Sequence, residues 1–247
     1  MKKQLYSIIV TFLGVFSLFN VNAQNPNAVH YYVLNPQLIN GAAIVNSDRY
    51  SISSVYKQLP NESGNLFINI PAPFRKLFIG IHIENYQTHF VTGNTNSLTA
   101  AYRITRKRGI LGFACTYNFD TKTYLENKFA IERKLIYNGP NKQTRNLNLL
   151  DLSAYYYNHK TAYGLSILNI NEPFLKIDSI HRVMDFRSRP FVIFNYMRRF
   201  GGSNAIIPYF TWYRSLIKNK DKEFHFMASY AFEDSWEVGG GVKGGLG

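Results

Sequence analysis

Charge is scarce in this 247-residue chain: Asp, Glu, Lys and Arg together make up 17% of it, against about 25% in ordinary soluble domains. Cysteine is scarcer still. Cys115 is the only one, which excludes an intrachain disulfide and a cysteine-based structural zinc site. It falls at an apolar position of a strand-like run with no neighbour in sequence to activate the thiol, so it reads as surface filler rather than a nucleophile. Long hydrophobic runs are also missing. After Gln24 no stretch of 18 uninterrupted apolar residues occurs, so if the mature chain lives in a membrane it does so as a closed barrel, the one non-helical arrangement that satisfies every backbone hydrogen bond there. No recurring blade motif supports a propeller.

Aromatic residues are abundant at 16%, with 18 Tyr and 19 Phe against 2 Trp. That enrichment, with little charge, suits strands that face lipid and meet the headgroup layers at both ends; a soluble, aromatic-rich β-sandwich has the same composition. The net charge of +13 raises a nucleic-acid reading, but the chain holds no recognition helix, RNP-like motif or zinc-finger spacing, and no nucleic-acid partner is expected. The cations gather in turn-like stretches at Arg103 to Arg108, Arg198–Arg199 and Lys218 to Lys222. Basic turns at a barrel rim would meet anionic lipid headgroups or an acidic protein.

Residues 1–23 have the three parts of a cleavable secretory signal: Lys2 and Lys3, an apolar core from Leu5 to Phe19, and Val21-Asn22-Ala23 before Gln24. The core is shorter than the ~20 residues of a spanning helix. Cleavage between Ala23 and Gln24 is expected, with no lipobox cysteine after it, leaving residues 24–247 as one barrel domain.

Period-two alternation is the main structural signal. In Lys76 to Tyr86, Leu77, Ile79, Ile81 and Ile83 share one face while Phe78, Gly80, His82 and Glu84 share the other. In Ile110 to Phe119, Leu111, Phe113, Cys115, Tyr117 and Phe119 oppose Gly112, Ala114, Thr116 and Asn118, the small and polar set expected to face a lumen. Similar runs lie at Tyr50 to Tyr56, Leu66 to Ile70, Leu98 to Ile104, Lys128 to Tyr137, Leu150 to Tyr157, Ala162 to Leu168, Pro190 to Arg199, Ala205 to Tyr213, Phe224 to Phe232 and Trp236 to Val242. The fold expected is therefore all-β, an antiparallel transmembrane barrel of roughly a dozen strands. Connections are expected at Pro60 to Gly64, Gly93-Asn94, Arg106 to Gly109, Asn138 to Asn141, Asn158 to Lys160 and Phe200 to Gly202. The longest break, Asn169 to Phe186, has the length of a functional loop.

The stretch His30-Tyr31-Tyr32-Val33-Leu34-Asn35-Pro36-Gln37-Leu38-Ile39-Asn40-Gly41-Ala42-Ala43 resembles the early Asn-Pro motif of the PorP/SprF family of type IX secretion membrane proteins of Bacteroidota. Gly41 stands where that family usually has proline. Tyr50 to Gln58 is similar to the family's Tyr-Arg-x-Gln-Trp strand, with Lys57 and Gln58 present but no Trp following. Ile70-Pro71-Ala72-Pro73, Phe78 to Asn85, Ala100-Ala101-Tyr102-Arg103, Gly109 to Phe119 and Ala162-Tyr163-Gly164-Leu165-Ser166 follow in the family's order. The resemblance spans most of residues 24–242. It implies an outer-membrane barrel of FadL-like architecture that works with secretion-machinery proteins of the periplasm and outer membrane to export or anchor adhesin-like surface proteins. No catalytic set comes with it. The alternative function is a FadL-like or porin-like channel for small solutes.

Signs of chemistry are few, and no catalytic, cofactor-binding or metal-ligating residue is assigned. The histidines His30, His82, His89, His159, His181 and His225 show no metal-type spacing. His225 with Ser229 and His159 with Ser166 form candidate hydrolase pairs, but neither has a nucleophile-elbow context. Gly239 to Gly245 lacks the Gly-Lys-Ser/Thr ending of a phosphate loop and reads as a glycine-lightened terminal strand or a frayed tail. Asp151 opposes the apolar face of its strand and is expected to line a lumen as a solvated carboxylate. The ending Gly244-Gly245-Leu246-Gly247, without a terminal aromatic, suggests a chain short of its closing strands; the competing expectation is a complete twelve-strand barrel.

Overall fold

The structure is a computed structural model that describes residues 36–46, 49–57, 62–71, 76–132, 142–171, 191–216, 222–232 and 236–246. The signal segment 1–23, its cleavage site, the motif residues His30 to Asn35, His181 and the Lys218 to Asp221 turn lie outside the described residues, as does the break beyond Asn171.

Among the described residues twelve strands form one antiparallel sheet. They are β1 (Ser51–Lys57), β2 (Glu62–Pro71), β3 (Leu77–Gln87), β4 (Val91–Arg106), β5 (Gly109–Tyr124), β6 (Gln143–Tyr157), β7 (Thr161–Leu168), β8 (Phe191–Arg198), β9 (Phe200–Gly201), β10 (Ala205–Ser215), β11 (Lys222–Phe232) and β12 (Trp236–Leu246). Each pairs with the next in sequence, except that two-residue β9 hangs on β10, which itself pairs with β8. The all-β, antiparallel expectation holds. Among the described residues no pairing joins β1 to β12, so the sheet is open with these as its two edges, and the closed barrel expected from the sequence is here an open, curled sheet.

Alternation decides which residue faces where. Along β3, Leu77, Ile79 and Ile81 are exposed while Phe78, Gly80, Glu84 and Tyr86 are buried; along β5, Phe113, Cys115, Tyr117 and Phe119 are exposed while Gly112, Ala114, Thr116 and Asn118 are buried. The register carries these faces across strands. Ile81 lies opposite Leu98, Leu98 opposite Tyr117, and Tyr117 opposite Leu150, so a continuous apolar band forms on the outside. Against expectation, the strands run on beyond this band. β4 and β5 have 16 residues each and β6 has 15. Their extensions carry outward Asn94, Asn96, Thr121, Thr123, Thr144 and Asn146, which bond one another at 2.6–3.0 Å and so give the ladder a polar outer face.

Three expected boundaries are corrected. Gly93-Asn94 is not a turn but part of β4; the turn is Thr88 to Phe90, with Val91 and Thr88 exchanging hydrogen bonds. Gly93 sits within a strand because the Tyr86 ring lies across it, where a Cβ would fall. Ser63 and Gly64 belong to β2, opposite Lys57 and Tyr56. The described part of the expected Lys128 to Tyr137 strand is helical: Glu126–Glu132 is a short α-helix, α1, and residues 133–141 lie outside the described residues. The Phe-Ala-Ile run that imitates alternation there turns Phe129 and Ala130 inward and Ile131 outward. Phe129 packs edge-on against Phe90 at 5.1 Å, and His89 Nε2 lies 2.5 Å from Glu132 Oε1, so α1 caps the β3–β4 turn. The glycine-rich end is a strand, paired with β11 from Trp236 to Leu246.

The core sits inside the curl of the sheet. Two 3-10 helices, Pro36–Leu38 and Gly41–Asn46, touch both walls. Ala42, Ala43, Ile44 and Val45 pack with Phe78, Ala101, Ala114, Tyr155 and Ala162 from β3 to β7; Ile39 packs with Phe191, Ile193, Ile207, Tyr209 and Tyr213 from β8 and β10.

Candidate functional site

The interior is the part of the molecule whose side chains are organised toward one place. Its inward residues stack in rows across the strands, set by register. One row runs Arg103, Gly112, Tyr155; the next Phe78, Ala101, Ala114, Ser153; then Gly80, Thr99, Thr116, Asp151; then His82, Ser97, Asn118, Leu149; then Glu84, Thr95, Asp120, Leu147; and finally Tyr86, Gly93, Lys122, Arg145. Apart from Arg103, the first two rows carry no charge and include Gly112, Ala101 and Ala114, while the charged side chains Glu84, Asp120, Asp151, Lys122 and Arg145 all fall in the later ones. The 3-10 segment lies at one end, and above it is a cavity of about 190 Å³ lined by both polar and apolar side chains.

The plug is seated by shape and by hydrogen bonds. A Cβ at Gly112 would lie 2.6 Å from Val45 Cγ2 and 2.8 Å from the Ala42 carbonyl oxygen, and one at Gly164 would meet the Asn195 and Asn40 amides. These inward glycines make the groove the helix occupies. Asn40, 1% exposed, donates to the Ala154 carbonyl at 2.9 Å and the Leu165 carbonyl at 3.3 Å, and its Oδ1 accepts from the Ala42 N–H at 3.0 Å. The same N–H also donates to Ser153 Oγ at 3.0 Å. A six-residue 3-10 helix is longer than the usual three or four, and these wall contacts sustain it. Arg103 closes the far end: Nη1 donates to the Val45 carbonyl at 3.4 Å and its guanidinium lies 4.8 Å over the Phe78 ring. The sequence put Arg103 in a basic turn. It is instead buried, because β4 continues to Arg106 and residue 103 keeps inward parity.

Above the plug, Lys122 Nζ pairs with Asp120 Oδ2 at 3.1 Å and lies 6.0 Å from the Tyr86 ring centre, with both charged side chains almost wholly buried. His82 bonds Asn65 Oδ1 through Nε2 at 2.9 Å and stacks flat on Phe67, 4.3 Å between centres. Asp151 lines the cavity as expected, and is more committed than a solvated carboxylate. It accepts from Asn118 Nδ2 and from the Asn169 N–H, each at 2.7 Å. Asn169 has φ 54°, a left-handed conformation that asparagine tolerates, and turns the chain out of β7. Ile170 and Asn171 then bond back to β6, at the Leu150 and Asn148 carbonyls. Asp151 is thus a clamp on the start of the long β7–β8 connection.

The proposed hydrolase pairs do not assemble. His225 and Ser229 share a face of β11 four residues apart, about 13 Å at the strand rise, and His225 is buried with its ring stacked on Tyr213. His159 is exposed in the β6–β7 turn while Ser166 is buried well along β7. Cys115 is exposed on the outer face, opposite Ala100 and Leu152. Among the described residues no three His, Cys, Asp or Glu side chains group closely enough to hold a metal ion, and no helix is long and apolar enough to cross a membrane.

No family model, curated protein or solved structure matches the chain.

What the arrangement can do follows from its two surfaces. The outward apolar run on β5 from Leu111 to Phe119 is about 27 Å long, and at a tilt near 40° covers about 21 Å of height, close to the ~25 Å band of outer-membrane barrels. Aromatics mark both of its edges: Phe113, Tyr102, Tyr156, Tyr163 and Tyr196 toward the short turns, and Tyr117 with Phe119, 4.7 Å apart, toward the long connections. Inside, Ala42 and Val45 of the plug are 0% exposed, so the segment is packed tightly against the sheet. The plug went unseen in the sequence because Gly-Ala-Ala-Ile-Val has no period. The signal that would have found it is the recurrence of Gly80, Gly112 and Gly164 at inward positions.

Proposed function

We propose that this chain is a protein of the cell outer membrane, exported by its cleaved N-terminal signal, that spans the bilayer through its strands and serves as a structural and partner-binding component rather than an enzyme. By its resemblance to the PorP/SprF family, the role is in the type IX secretion and gliding apparatus, where it supports export or anchoring of specific adhesin-like surface proteins. The observation that carries this reading is the outward apolar band between two aromatic edges, wrapped around an interior filled by the chain's own segment. A soluble sandwich has no reason to expose Leu77, Ile79, Leu98, Phe113, Tyr117, Phe119 and Leu165 in one register-continuous belt. A solute channel would have to route its cargo past the packed Ala42 to Val45 segment.

Deletion of the gene is expected to abolish surface display of one or a few partner proteins while solute uptake and lipid composition stay normal. Surface proteomics beside uptake assays reads both arms. Intact display combined with lost uptake of one solute would transfer the assignment to a channel.

A further inference from the structure

We propose that four consecutive short turns form a binding arc for the phosphate headgroups of anionic lipids. Antiparallel order sends the β2–β3, β4–β5, β6–β7, β8–β10 and β11–β12 connections to one rim; the fifth, Glu233-Asp234-Ser235 in sequence, lies outside the described residues, and the first four make up the arc. Their described residues present Lys76, Arg106, Lys107, Arg108, Lys160, Arg198 and Arg199, with no Asp or Glu among them. Six of the seven are exposed and Arg199 is half-buried. Arg199 donates to the Gly202 carbonyl at 2.8 Å and so shapes its turn, while Arg198 stands 4.8 Å over the Phe200 ring. The opposite rim mixes signs, with Glu126, Glu132, Lys142 and Arg145.

A second observation fixes the height of the arc. Directly beneath it on the outer face lie Tyr102, Tyr156, Tyr163 and Tyr196, the last three in a chain with centres 6.1 and 5.2 Å apart. Tyr156 reaches up to donate to the Arg108 carbonyl at 2.9 Å. Tyrosines with their rings on apolar surface and hydroxyls turned to a polar rim mark the interface layer. Cations two to four residues beyond such a layer, as Arg198 is beyond Tyr196, Lys160 beyond Tyr163 and Arg106 beyond Tyr102, stand at the depth of lipid phosphates, where each contributes a favourable interaction with anionic headgroups that weakens with salt. An acidic protein would also complement the charge, but it gives no reason for the tyrosine layer under it.

The inference rests on the membrane reading above, and the test separates the two. The full chain is reconstituted into phosphatidylcholine vesicles, and its association with spin-labelled phosphatidylglycerol is compared with that of spin-labelled phosphatidylcholine. The expected preference for phosphatidylglycerol is roughly fivefold at about 0.1 M salt, approaching unity near 1 M, where the screening length is about 3 Å. K107E/R108E/K160E should insert but lose the preference, and K142E on the opposite rim should keep it. If the triple charge reversal does not insert, K107Q/R108Q/K160Q takes its place, with the same loss expected. Insertion with equal association of the two lipids, or a preference that survives both triple variants, overturns the arc alone. Failure of the unaltered chain to float with vesicles overturns the membrane reading and the arc with it.

Discussion

Replacing Gly112 with valine is expected to unseat the 3-10 plug and expose it to protease. The Cβ alone would fall 2.8 Å from the Ala42 carbonyl oxygen and 2.6 Å from Val45. The first contact is with backbone, so no side-chain rotation relieves it, and valine's two methyls enlarge the overlap. Overpacking of this kind costs about 1–3 kcal/mol, which, concentrated on the plug, raises its open population by roughly 5- to 150-fold. Where reclosing outruns cleavage, proteolysis follows that population. Cleavage within Ala42 to Asn46 should therefore accelerate by up to about two orders of magnitude, while a Gly202→Ala control, with nothing within 4 Å of its Cβ, should match the unaltered protein. Equal protection of the Gly112→Val variant would mean that the segment is not held where the structure seats it.

Arginine in place of Cys115 is expected to destabilise the membrane-inserted protein by about 2–4 kcal/mol, the midplane value for a cation on the lipid face of a barrel. Cys115 is the middle residue of the outward run from Leu111 to Phe119. Thr121 points outward from the same strand, six residues or about 20 Å further along, beyond the apolar band; arginine there should cost no more than about 1 kcal/mol. Urea titrations of both variants in vesicles measure the difference. Two small and equal effects would mark both positions as ordinary water-facing surface.

How much of this was legible in the sequence depended on whether the two faces of a strand differ. Leu77 to Ile83 and Leu111 to Phe119 alternate sharply because one face carries large apolar side chains outward and the other sends small or polar ones into a crowded interior, and their faces read correctly. The extension Thr92 to Ser97 is polar on both sides, so the contrast that periodicity depends on vanishes, and only pairing with β3 and β5 makes it a strand. Proximity in sequence also misled. Arg103 stands beside the basic turn at 106–108, yet its parity sends it inward to Val45. Asp151 was visible as an inward residue, but its partners, Asn118 and Asn169, come from β5 and the end of β7, and no local pattern connects them.

The central claim is that the outer belt faces lipid, and the single cysteine makes it measurable without further mutation. A small fluorophore is attached to Cys115 in the denatured chain, which is then refolded into vesicles whose lipids carry nitroxides either at the headgroup or deep in the acyl chain. The account predicts that the deep nitroxide quenches most strongly and that iodide in the aqueous phase quenches little. Strong quenching by iodide with no dependence on nitroxide depth would contradict it.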